Sequence, residues 1–193
     1  MTALIASYAS TYIATRPRRL TGLFIIGNFA FFSALLAAMF YLRMKSDDWP
    51  VPFHFASLLM VCALTMFALC ASVTAIIGER AARTEPTAEP AVRWLAIAIT
   101  SWFIFLFLEI VEWVRLVFIE RLGPHTAFGA TFLVLTGTHW IAATGCAGWF
   151  CYAAADVKKR DVLAAALYSH FLCFWWIVLV VTLYFFNADI QGI

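Results

Sequence analysis

Charge is the first thing this sequence is short of. Lys, Arg, Asp and Glu supply 12% of the 193 residues, about half the share usual in a soluble domain. The net charge is only +2, which excludes a strongly basic surface and with it a nucleic-acid partner. Cysteine occurs five times but never in a CxxC or a finger spacing. Cys62, Cys70, Cys146, Cys151 and Cys173 all lie in apolar runs, which argues against a zinc knuckle or a disulfide framework. Long polar stretches are missing too: the longest, from Gly78 to Arg93, is too short for a domain. No helix pattern carries Glu-x-x-His, the usual mark of a carboxylate-bridged metal pair inside a bundle. The N-terminus lacks the charge order of a cleavable signal. Mildly apolar Met1 to Thr15 comes before the basic Arg16, Pro17, Arg18 and Arg19, so residues 1–19 read as a retained arm or short interfacial helix.

What fills the chain is apolar side chain. Hydrophobic residues make up 64% and mean hydropathy is +0.90, more than a soluble core of this size can hide, so the chain belongs in a bilayer. Five runs stand out, at about 20–42, 53–77, 94–118, 127–152 and 162–186. At 1.5 Å rise per residue each is long enough to cross roughly 30 Å of hydrocarbon. The fold expected is all-α: a polytopic membrane protein, a five-transmembrane-helix bundle over 20–187 with a tail at 188–193. The fourth run is the least greasy. Thr136, Gly137, Thr138, His139, Ala142, Thr144, Gly145 and Gly148 are small or polar, as residues between packed helices in lipid tend to be, so this helix expects neighbours on several sides.

Lys and Arg set the orientation. Arg16, Arg18, Arg19, Arg80, Arg83, Arg93, Lys158, Lys159 and Arg160 fall on one side, nine against the four of Arg43, Lys45, Arg115 and Arg121 on the other. That places the N-terminus inside and the C-terminus outside.

Ionisable groups within the runs are the functional candidates, because even the mildest scale charges about 2.5–3.5 kcal/mol for a charge at mid-membrane. They are Glu109, Glu112, His139 and His170, with Asn28 as a neutral companion. Counting from the middle of each run, Glu112 lies about 12 Å and Glu109 about 7 Å toward the outside, His139 near the midplane, and His170 and Asn28 about 6–8 Å toward the inside. Glu109 and Glu112 share a helix face, suited to holding a metal or relaying protons. The competing reading is structural, with one carboxylate on Arg115 and the other protonated or bonded to His139. His139 and His170 as axial haem ligands would have to converge on one iron, which their offset in depth opposes. The aromatic clusters Phe29, Phe31, Phe32 and Phe171, Phe174, Trp175, Trp176 read as packing and lipid contact rather than a quinone pocket.

Several stretches, in order, resemble subunit III of the haem-copper oxidases (cytochrome c oxidase type), in the short five-helix bacterial form. The fourth run carries that family's aromatic-glycine start and Thr-Gly-x-His in Phe128, Gly129, Thr136, Gly137 and His139, with the later Gly145. Glu112-Trp113 matches the end of the preceding helix, His170, Phe171 and Trp176 match the last helix, and Gly22 with Phe31-Phe32 match the first. The chain departs where the family has an acidic residue ahead of Phe-Phe (Asn28), a second histidine three after the first (Ala142) and an aspartate after His-Phe (Cys173). It therefore resembles a divergent branch, serving an unusual oxidase or a nitric oxide reductase. The resemblance implies an accessory, cofactor-free subunit in a bacterial inner (plasma) membrane, docked on catalytic subunit I beside subunit II. Haem and copper would reside in those partners, and phospholipid in a cleft between the first two helices and the remaining three. Asn28, Glu109, Glu112, Trp113, His139, His170 and Trp176 then form a polar seam for bundle, lipid or subunit contact, with no catalytic, cofactor or metal role. The alternative is a free-standing membrane redox protein whose Glu and His residues hold a metal or haem.

Overall fold

The computed structural model describes residues 2–46, 49 and 57–185, the side chains of 2–18 and 185 excepted. Helix α1 spans Thr2–Lys45, α2 Leu58–Thr84, α3 Glu89–Val114, α4 Ala127–Ala154 and α5 Val162–Val180. No strand occurs among the described residues. A π-helical turn, Arg115–Ile119, continues α3, and another, Val181–Phe185, continues α5. Four helical stretches are long and apolar enough to cross a membrane: Arg19–Lys45, Leu58–Thr84, Glu89–Ile119 and Val162–Tyr184. Helix α4 has the length, but the threonines, glycines and His139 that thin out its apolar character leave it outside that set. The start of the second run (53–56) and the tail lie outside the described residues.

Helices α2 to α5 close a four-helix ring in which α2 packs on α3 and α5, and α4 on α3 and α5. The sequence basis is a three-and-four spacing of buried residues on each helix. On α2 these are Val61, Leu64, Ala68, Ala71 and Ala75; on α3, Ala91, Leu95, Ala98, Trp102, Phe105, Glu109 and Glu112. On α4 they are Phe128, Phe132, Leu135, His139, Ala143, Cys146, Phe150 and Ala153; on α5, Val162, Ala165, Ser169, Leu172, Trp176 and Leu179, with Leu183 in the π turn that follows. This repeat, averaging 3.5 residues, is the seam of coiled-coil-like bundles. Its outward positions are equally apolar, as at Phe103, Phe107, Ile110 and Ile177, so hydrophobicity alone does not reveal it. The buried positions of α2 include Ala68, Ala71, Ala75 and Ala81, and a Cβ on Gly78 would lie 3.0 Å from Leu95 of α3. Small side chains let these two backbones approach, the principal means of holding helices together in lipid.

The polar stretch between the second and third runs is mostly helix. α2 continues to Thr84 and α3 starts at Glu89, which leaves residues 85–88 as the link. Glu79 pairs with Arg83 and Glu89 with Arg93 at 2.5 Å, each an i,i+4 pair that favours helix. Pro90 occupies the first turn of α3, where its missing N–H costs nothing. Lys158 Nζ donates to the carbonyls of Ala82 (3.0 Å) and Glu85 (2.5 Å), capping α2 from the α4–α5 loop. At the other end of the ring, Thr126 Oγ1 accepts from Gly129 N at 3.0 Å to start α4. A Cβ on Gly129 would collide with the carbonyls of Leu122 and Gly123.

Helix α1 lies outside the ring against α4 and α5. Phe32 and Met39 are buried, with Ile25, Asn28, Leu35 and Leu36 half-buried, while Leu20, Leu23, Ile26, Phe29 and Phe31 are exposed. The division is thus one helix against four, not the two against three that the resemblance implies. The close α2–α3 packing through alanine and Gly78 is what holds α2 in the larger group.

Candidate functional site

The polar residues fall into separate groups rather than one continuous seam. At the C-terminal end of α3, three residues apart on one face, Glu112 and Arg115 form a fork. Arg115 Nε donates to Glu112 Oε2 (2.8 Å) and Nη2 to Oε1 (2.6 Å), while Nη1 reaches Glu120 at 2.7 Å. Glu112 is fully buried and the Arg115 side chain is 18% exposed, so the pair works in a low-dielectric setting where bidentate geometry matters most. Glu109, one turn back, is 1% exposed, and neither of its oxygens finds a hydrogen-bond partner among the described residues. Tyr184, from the π turn after α5, lies against this cluster. Trp113 turns its ring N–H to Thr136 Oγ1 of α4 at 2.9 Å.

His139 occupies the middle of the ring and is fully buried. Phe105, Trp176, Trp102 and Phe32 surround it, with ring centroids at 5.5, 5.6, 6.4 and 6.4 Å. Its Nε2 lies 3.0 Å from the Leu172 carbonyl. A carbonyl only accepts, so Nε2 carries the proton. The bond from His139 thus goes to α5 backbone and not to either glutamate. Trp102 Nε1 donates to Ser169 Oγ at 3.1 Å, and Trp176 Nε1 to Thr65 Oγ1 at 3.1 Å. These indole bonds tie α3 to α5 and α5 to α2.

His170 faces a different helix. Its Nδ1 is hydrogen-bonded to Ser72 Oγ of α2, while its Nε2 is buried without a partner among the described residues. His139 and His170 do not converge, and among the described residues no three His, Cys, Asp or Glu side chains gather closely enough to hold a metal ion. Ser72, Ser169 and Tyr184 went unread in the sequence. Of these only Ser169 falls on the buried stripe of its helix, the one signal the sequence carries for them.

Asn28 belongs to the interface of α1. Its Nδ2 donates to Phe24 O at 2.9 Å, and the Tyr168 hydroxyl donates to its Oδ1 at 3.4 Å. Beside it lies a cavity of about 410 Å³, walled by Phe24, Phe31, Trp149 and Tyr168 and floored by Thr138, Ala142 and Gly145 of α4. A hollow of about 380 Å³ lined by Leu20, Thr21, Phe24 and Trp149 shares two of its walls. Two of the positions at which the chain departs from the resembled family, Asn28 and Ala142, line the same cavity.

No family model matches the chain. It is similar to quinol oxidase subunit 3 of Bacillus subtilis, 26% identical over 170 residues that cover 84% of this chain and 83% of that protein. The protein of the same name in Bacillus spizizenii is similar to the same extent and over the same shares. Cytochrome c oxidase subunit 3 of Corynebacterium diphtheriae is 25% identical over 178 residues, 86% of this chain and 85% of that one. The likeness covers more than four-fifths of this chain in each case, so the chain is similar to oxidase subunits 3 over most of its length.

Proposed function

We propose that this chain is an accessory subunit of a haem-copper respiratory oxidase, docked on the catalytic subunit I with subunit II nearby and carrying no cofactor of its own. The observation that supports this most is the similarity to oxidase subunits 3 along more than four-fifths of the chain. All five helices span the membrane in this reading. The N-terminus and the Lys158 loop face the inside and the C-terminus the outside, as the distribution of Lys and Arg asks. The membrane is the bacterial inner membrane. The exposed apolar flanks of α1 and α3 meet lipid or the partner subunits, and a membrane lipid fills the groove between α1 and the α4–α5 pair. By steadying the catalytic subunit from outside, the chain supports its stability and its uptake of protons. Among the described residues no convergent ligand set favours the reading of a free-standing redox protein.

Purification through a tag on this chain in mild detergent tests the proposal. The expected result is a complex with haem absorption bands and a large multi-helix partner identified by mass spectrometry. Isolation of the chain alone, with iron or copper in stoichiometric amount, would overturn it.

A further inference from the structure

We propose that the groove between α1 and α4–α5 takes the ring of an isoprenoid quinone or quinol. This rests on the accessory-subunit reading and names the lipid of its groove. The cavity is open on its side, past Phe31 and Ile141, which are 52% and 69% exposed. In a bilayer that side faces hydrocarbon, so its ligand must dissolve in the membrane. The walls are aromatic and close together. Phe24 and Tyr168 stand 5.1 Å apart by ring centroid, and Trp149 and Tyr168 6.2 Å, so the three rings touch and form one continuous aromatic face. The floor is flat because α4 presents Ala142 and Gly145 there, and a Cβ on Gly145 would meet nothing within 4 Å. A planar ring can lie on such a floor against such a face, which a branched or globular ligand would not need.

The polar atoms decide between a ring and a plain acyl chain. The Asn28 amide spends one N–H on Phe24 O and keeps a second. Thr138 Oγ1 donates to Val134 O at 2.7 Å, and the Tyr168 hydroxyl donates to Asn28, so both oxygens keep lone pairs to accept with. An acyl chain laid over these atoms leaves them unmet in an apolar medium, at a cost. A quinone carbonyl takes the spare N–H, and a quinol hydroxyl donates to the spare oxygens. At about 410 Å³ the cavity suits a substituted ring, with the isoprenoid tail leaving through the open side.

An azido-substituted quinone, photolysed with the intact complex purified through this chain, tests the assignment, with the label located by peptide mass spectrometry. The expected label falls on the α1, α4 or α5 peptides that line the groove. Gly145→Leu, which fills the cavity, abolishes it. Gly148→Leu, an equally open glycine outside the lining, retains it. Asn28→Leu lowers labelling at limiting probe about tenfold, the loss of one hydrogen bond in an apolar site. Phosphate analysis of the extracted lipid runs alongside. No label on these peptides, or label unchanged by Gly145→Leu and Asn28→Leu, overturns the quinone assignment. If phospholipid that Gly145→Leu displaces is found instead, the lipid-groove reading stands without the quinone. If neither ligand is found, both fall.

Discussion

Glu109 and Glu112 lie three residues apart on one helix, both buried, yet substituting them should change stability in opposite directions. Glu112→Gln removes the charge that answers the Arg115 fork. It leaves a guanidinium, 18% exposed, without its bidentate carboxylate, and turns an amide N–H toward a donor. Breaking a buried ion pair by removing one partner costs about 3–5 kcal/mol. The lower end applies here, because helices loosened in a micelle still find other partners. About 3 kcal/mol is roughly a hundredfold in the folding equilibrium. Glu109→Leu instead removes two buried oxygens without partners among the described residues, and should stabilise by about 1–3 kcal/mol. Replacing both members of the fork, Glu112→Leu with Arg115→Met, should cost less than Glu112→Gln alone, since an apolar pair of similar volume leaves no orphaned charge. The assay is SDS titration in mixed micelles followed by tryptophan fluorescence, on wild type and each variant. Glu112→Gln within about 0.5 kcal/mol of wild type, or Glu109→Leu as damaging as Glu112→Gln, would refute the reasoning.

Other substitutions probe the rest of the frame. Gly129→Ala drives a methyl into the carbonyls of Leu122 and Gly123 and should destabilise by about 1–3 kcal/mol on the same titration, while Gly148→Ala, which meets open space, should be close to neutral. Lys158→Met frees the carbonyls of Ala82 and Glu85; the expected cost is about 1 kcal/mol, read as faster hydrogen exchange at the end of α2 with the ring core unchanged. Trp102→Phe leaves Ser169 without its donor and should loosen α3 from α5, measured as a drop in melting temperature that Ser169→Ala reduces when the two are combined. A reporter active only outside the membrane, fused after Ile193, should be active, and the same reporter placed in the Lys158 loop silent.

The class of fold was legible because composition and run length leave little choice: five apolar runs became five helices. The bundle's internal order was not. In a soluble bundle the 3.5-residue stripe shows against polar flanks, but here Phe103 and Phe107 on the outside are as apolar as Phe105 on the inside, and burial rather than hydrophobicity separates them. The ends of α2 and α3 were read as loop because Glu79, Arg83, Glu89 and Arg93 are charged, although that charge at i,i+4 spacing favours helix. Glu112 with Arg115 was readable from spacing along one helix. The bond of His139 to Leu172, and that of His170 to Ser72, join residues distant in sequence, and only packing decides them. Placing α1 against α4 and α5, away from α2, depends on how closely alanines let α2 and α3 approach, which run length does not report.

The most direct test of the central claim is to strip this chain from the purified complex with a harsher detergent and follow both fractions. The account predicts that haem, copper and initial turnover stay with the remaining subunits, which then lose activity sooner during sustained turnover and recover durability when the chain is added back. Metal or haem leaving with this chain, together with loss of initial turnover, would contradict it.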